Sequence, residues 1–342
     1  MIAKNFIISF GFLLSKLSYK TLEAIIQILA RIYFVIPQKR KRILLSNLTH
    51  AFPQWPEHKI KDTANKSLRY LFEMGFFSLI YPHLSCQKRR RTLMYSKKEE
   101  DEISDLSMSG KPTLILLPHL SLFETVATSL AFRPSGSKNL GAIYRPNSNP
   151  SIDKWINKSR MDLGLKVFSR KKGLVQARKH LKDGNWLILL FDQNAGLGGE
   201  LSLFLNRICS VSPLPDIVVK GMPANLVLAT PFRSSFFRAE LKLHNLGRVR
   251  STSISKVVHQ KLETIIKDDP DGLPEWLWSH GKWKTQDNPH QIFHLHSKRS
   301  SLSSEDKIPR KTKIWIRMPN WLGDICLLYT SDAADDSLRV DL

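Results

Sequence analysis

Cysteine is scarce in this 342-residue chain: Cys86, Cys209 and Cys326 are the only three, and no pair has metal-ligand spacing. That excludes a disulfide framework and a structural zinc site and fits a reducing compartment. A long hydrophobic run is missing too. Residues 6–17 and 22–37 are apolar, but Lys16, Lys20 and Glu23 interrupt them, and neither reaches the roughly 20 apolar residues of a spanning helix. No small-residue cleavage site follows, so a removable secretory signal is not expected. The Gly-rich GLGGE at 196–200 lacks the Lys-Ser/Thr of a phosphate loop and reads as a flexible loop. No helix-turn-helix, zinc finger or RNA-binding aromatic motif appears, which argues against nucleic acid as a partner. Acid is the last shortage: 30 Asp and Glu face 52 Lys and Arg, a formal net charge of +22.

What is there follows from those absences. A hydrophobic fraction of 42% is ample for a core. The positive excess favours polyanionic partners, such as anionic lipid headgroups or a strongly acidic protein. Residues 1–37 are expected to form a membrane-associating helical segment, because the basic cluster QKRKR at 38–42 follows the apolar stretch directly and suits a cytoplasmic, anionic lipid surface. The alternative is a pair of core helices. Residues 57–81 read as a helix with an apolar C-terminal half, and the charged stretch 87–105 as a linker or exposed helix.

From Lys111 the pattern alternates. Strand-like runs end at His119, Arg145, Arg170 and Asp192, and helical segments lie between them at 121–132, 150–163 and 173–182. Two more strand candidates and a helix at 255–267 follow. This predicts an α/β fold with a mostly parallel central sheet flanked by helices. In a parallel sheet the strand ends share one rim, and ligands bind there. His119, Arg145, Arg170, Asp192 and Gln193 are therefore expected to converge.

The stretch HLSLFE, His119 to Glu124, puts a histidine where strand gives way to helix and a carboxylate one helical turn on. One reading makes His119 a general base and Glu124 the acid that orients its imidazole. The other makes Ser121-x-x-Glu124 a capping box and His119 a loop residue. Arg145 and Arg170 suit a phosphate, whose oxygens match guanidinium, or are solvated surface charge. Asp192 and Gln193 would position a substrate hydroxyl or tie down the arginines. The three tryptophans of PEWLWSHGKWK (274–284) read as core or membrane-interface residues rather than catalytic ones.

These blocks resemble a known family. RKRILLSNLTHAFP (40–53), HLSLFE, YRPNSNPSID (144–153), SRKKGLVQARKHLKDG (169–184), the strand ending in DQNAG, FLNR followed by Ser-Pro, and PEWLWSHGKWK together are similar to the late acyltransferases of lipid A biosynthesis. These are the lauroyl/myristoyl transferases of the HX4D/E acyltransferase superfamily. The resemblance implies a glycerolipid-acyltransferase-like fold over 38–287 and an enzyme on the cytoplasmic face of a Gram-negative inner membrane. It implies acyl carrier protein as donor, a hydroxyacyl chain of a Kdo-bearing lipid A precursor as acceptor, membrane lipids as surroundings, and no metal or organic cofactor. It also implies His119 and Glu124 as the catalytic pair, with Arg145, Arg170, Asp192 and Gln193 as substrate-binding residues. One departure is that many relatives have Asn-Trp before the motif carboxylate, where this chain has Leu122 and Phe123. Two other readings stay open: a lysophosphatidate-type glycerophospholipid acyltransferase, and a non-catalytic protein of the membrane surface.

Residues 288–310 are polar and read as a linker. Residues 311–325 resemble the start of a heptosyltransferase-type glycosyltransferase of lipopolysaccharide synthesis, with a short strand, KIWIR, running into MPNWLGD. Residues 326–342 look like translated adapter rather than native protein, and a truncated gene is the expectation.

Overall fold

Five strands of the central sheet run parallel because each leaves its neighbour by a helical crossover rather than a tight turn. The computed structural model describes residues 2–36, 38–128, 140–147, 149–247 and 253–285. The chain divides into two units, Met1–Asp306 and Lys307–Leu342, and only the first contains described residues. The expected linker, glycosyltransferase start and non-native tail all lie outside them.

The N-terminal part is helical: α1 (Ile2–Leu14), α2 (Tyr19–Val35), α3 (Lys39–Ala51), α4 (Glu57–Ile80) and the short α5 (Cys86–Arg90). Ser18 caps α2 by accepting from the Thr21 amide at 3.1 Å. Among the described residues no single helix is long and apolar enough to cross a membrane.

A two-residue strand β1 (Leu93–Met94) and α6 (Lys97–Met108) lead into the alternating region. There β2 (Thr113–Leu117), β3 (Leu140–Tyr144), β4 (Lys166–Ser169) and β5 (Trp186–Leu190) are separated by α7 (Glu124–Thr128), α8 (Pro150–Asp162) and α9 (Leu174–Lys182). A hairpin of β6 (Glu200–Phe204) and β7 (Arg207–Val211) forms its own small sheet. After α10 (Leu214–Val219), β8 (Asn225–Ser235) and β9 (Arg238–Asn245) complete the large sheet, and α11 (Ile254–Asp268) covers it. The strand order is β1-β9-β8-β2-β5-β3-β4. All its pairings are parallel except β8 with β9.

Both faces are covered, so β2 and β5 read as continuous apolar runs. Alternation still sorts their side chains: Leu114, Leu116, Leu187 and Leu189 face one core, and Ile115, Leu117, Trp186 and Ile188 the other. The first core holds α3, α9, α11 and the three tryptophans Trp276, Trp278 and Trp283; the second holds the C-terminal half of α4, α6 and α7. These tryptophans are core residues.

The helix expected over 121–132 differs. Turns occupy 121–123, α7 begins only at Glu124, and the described part ends at Thr128. The physical reason is that Leu120 bridges to Trp276 and the Ser121 hydroxyl donates to Glu275 at 3.4 Å, so the first turn is held by the tryptophan loop. The capping box expected from Ser121 is not made.

Candidate active site

Strand β2 stops at Pro118, which has no N–H to continue the ladder. The chain then turns outward and His119 stands at the C-terminal rim. Its backbone N–H donates to Asp192 Oδ2 at 2.9 Å, and its carbonyl accepts from the Leu277 amide at 3.0 Å. Asp192 and Gln193 leave the end of β5, whose Leu190 is in register with Leu117 of β2. Adjacent parallel strands thus bring together two residues 73 apart in sequence.

The imidazole is fixed on both nitrogens. His119 Nδ1 lies 2.5 Å from Asp192 Oδ1, and Nε2 lies 3.1 Å from the Gln193 side-chain amide nitrogen. An ionised carboxylate only accepts, so Nδ1 carries the hydrogen and Nε2 the lone pair. Asp192 also accepts from the Trp276 indole N–H at 2.8 Å and is 2% exposed. Burial alone would raise its carboxyl. The electrostatic attraction of the His119 ring and the hydrogen bonds from His119 and Trp276 outweigh that and hold it well below the usual carboxylate range.

The orienting partner of the imidazole is therefore Asp192, not Glu124 as the motif spacing suggested. Glu124 follows one residue beyond the turn that Leu120 and Ser121 pin down, and it pairs with Arg160. Its Oε1 accepts from Arg160 Nη2 at 2.5 Å. Arg160 comes from α8, which starts cleanly because the Asn149 side chain caps the Ser151 and Ile152 amides and Pro150 presets the first turn.

Arg145 and Arg170 follow β3 and β4, which pair with Tyr144 opposite Ser169. Both are exposed and make no side-chain hydrogen bond or ion pair with the described residues. They share the rim with His119 but do not touch it. With strands about 4.8 Å apart, β3 lies two strands from β2 and β4 three, roughly 10 and 14 Å away.

Two residues of the site were not singled out from sequence. Arg160 continues an apolar stripe, Ile152 and Ile156 at four-residue spacing, and a charge at the end of such a stripe was the available signal. Trp276 sits among tryptophans read as core, and an indole N–H that is buried needs an acceptor. Glu275, beside it, is also buried, accepts from the Arg233 amide at 2.7 Å, and is pushed up to about 7 by that burial. Among the described residues no cluster of three or more histidine, cysteine or carboxylate side chains is disposed to hold a metal ion.

A buried carboxylate holding a histidine in one orientation at the C-terminal rim of a parallel sheet is the site this α/β fold presents at its strand ends. The chain belongs to the bacterial lipid A biosynthesis acyltransferases, whose family model matches residues 2–285. It is an acyltransferase of lipid A biosynthesis. A search of the curated proteins finds no match.

Proposed function

We propose that the enzyme moves a fatty acyl chain of the lauroyl/myristoyl type from acyl carrier protein to a hydroxyacyl chain of a Kdo-bearing lipid A precursor. The observation that carries this reading is the locked imidazole: Asp192 on Nδ1 leaves Nε2 as the only proton acceptor of the ring. The acceptor hydroxyl displaces the Gln193 amide at Nε2 and gives up its proton there. Its oxygen attacks the thioester carbonyl, and the tetrahedral intermediate expels the thiolate, which recovers the proton from His119. A thioester is already activated, so what remains is to stabilise the oxyanion. That task is assigned to Arg160, with Glu124 as the carboxylate that positions it. Arg145 and Arg170, exposed at the ends of β3 and β4, suit the phosphates of the acceptor.

The place of action is proposed as the cytoplasmic face of the inner membrane. Exposed apolar side chains on α1, α2 and the turn between them (Phe12, Leu13, Leu17, Ile28, Ile32 and Val35) sit beside Lys16, Lys20 and Arg31, a composition suited to lying in an anionic interface. The charge of +22 suits an acidic carrier protein as well.

The test is mass spectrometry of lipid A from a strain lacking its own late acyltransferase and expressing either this chain or its His119→Ala variant. The parent adds one acyl chain and the variant none, with both proteins present in the membrane fraction. Full acylation by the variant ends the general-base reading. A purified comparison of acyl carrier protein and coenzyme A thioesters identifies the donor.

A further inference from the structure

Beside Glu124 lies a groove that proton transfer does not use. It has a volume of about 260 Å³ and runs between α1, α4 and α8, with Ile7, Leu79, Pro82, Ile152, Trp155 and Ile156 among its walls. Glu124 and Arg160 also line it, so the groove is continuous with the charged pair of the site. Its size falls just under the ~300–1,000 Å³ of sites for drug-sized ligands. Its mainly apolar walls suit an alkyl chain rather than a phosphorylated sugar.

Gly75 lines the same groove from the interior of α4. Glycine inside a helix is unfavourable against alanine, and its presence needs a reason. Packing does not supply one: a Cβ built on Gly75 meets nothing within 4 Å. Gly11 of α1 shows the contrast, because a Cβ there would fall 2.5 Å from the Leu79 carbonyl oxygen. Gly11 lets two helices approach closely. Gly75 leaves space open.

We propose that this groove holds the acyl chain of the donor thioester and that the missing side chain at Gly75 sets its usable depth. The proposal rests on the function argued above. The acyl carbonyl and its chain are one covalent unit. A carbonyl whose oxygen meets Arg160 has its chain directed into the space that Arg160 and Glu124 border. The acceptor is held elsewhere on the rim, at the ends of β3 and β4. Filling the groove from Gly75 therefore shortens the chain that the enzyme takes without touching the base.

The experiment uses full-length parent, Gly75→Ala and Gly75→Leu. Donor thioesters form a ladder of saturated chains with the acceptor fixed; acceptors with stepped hydroxyacyl chains are then varied with the donor fixed. Gly75→Ala is expected to raise Tm. Gly75→Leu is expected to shift the donor optimum to shorter chains, with a loss of at least about tenfold in kcat/KM for the parent's preferred chain. The acceptor profile stays unchanged. A folded Gly75→Leu whose donor profile superimposes on the parent's overturns the proposal, and so does a shift confined to the acceptor profile. Binding is read separately, by quenching of Trp155 with a brominated fatty acid, Trp155→Phe serving as the blank. Quenching in the parent that Gly75→Leu abolishes supports the groove as a chain site even where transfer fails; absence of quenching in an active parent overturns it. A parent that transfers from no thioester refutes the function itself.

Discussion

Asp192 and Glu124 are both carboxylates within the site, yet their surroundings give them different work. Asp192 is encircled by N–H donors, which hold its carboxyl well below the usual carboxylate range. Replacing it by Asn keeps the shape but lets the side chain donate to Nδ1, which reverses the imidazole tautomer and removes the lone pair from Nε2. A loss of about 10⁴ in kcat is expected for Asp192→Asn, on the scale of other bases given the wrong tautomer. Glu124→Gln only loosens Arg160, and a loss of about 10²–10³ is expected, typical of a single oxyanion donor. Single-turnover rates with saturating donor check both. Equal losses, or a larger one at Glu124, would return the orienting role to Glu124.

At the scale of elements, α2 presents two faces of opposite use. Leu22, Ile26 and Ala30 recur every fourth residue and are buried against the fold, whereas Ile28, Ile32 and Val35 are exposed, Val35 at 80%. A helix built this way has the composition proposed above for lying on a membrane surface. The double variant Ile32→Glu and Val35→Glu is expected to keep the parent Tm and to lose flotation with anionic vesicles. Raising salt should weaken binding of the parent, since the flanking lysines and arginines act through a screened potential. Flotation unchanged by the two glutamates would rule this face out as the contact. The limits of such elements were largely legible beforehand. The runs forming β2 to β5 are apolar and end at a proline or charge, which is a local signal. The partner of His119 was not legible, because Asp192 reaches it through strand register across 73 residues, and no local pattern encodes register between separate strands. The motif spacing pointed to Glu124, whereas the chain between the two is held by the Leu120–Trp276 bridge, a contact of still longer range.

At the scale of the whole molecule, the family blocks meet around the loop 274–285. Asn47 of α3 donates to the Trp278 and His280 carbonyls at 2.8 and 2.9 Å. The Asn194 side chain donates to the Lys282 carbonyl at 2.6 Å, and its backbone N–H to His280 Nε2 at 3.0 Å. Two titratable groups of this loop, His280 and Glu275, pull stability in opposite directions with pH. Burial lowers His280 from the ordinary 6.5 to about 4 and lowers His259 well below its ordinary value too, so the native state holds them neutral. The unfolded chain binds those protons first as pH falls, and stability is lost from about pH 6.5 downward through 4. Glu275 works in the opposite sense. Its native carboxyl is pushed from 4.5 up to about 7 by burial, so between those values the native state holds the extra proton and stability falls as pH rises. Above pH 7 the buried carboxylate costs on the order of 3 kcal/mol relative to an exposed one. Glu275→Gln keeps an acceptor for the Arg233 amide and removes the charge. Its Tm should match the parent near pH 5 and exceed it near pH 8, while the acid limb, set by the histidines, stays where it was. A melting series from acid to alkaline pH decides the matter, and a variant whose alkaline limb still falls with the parent's would show that the carboxylate of Glu275 is not what limits stability there.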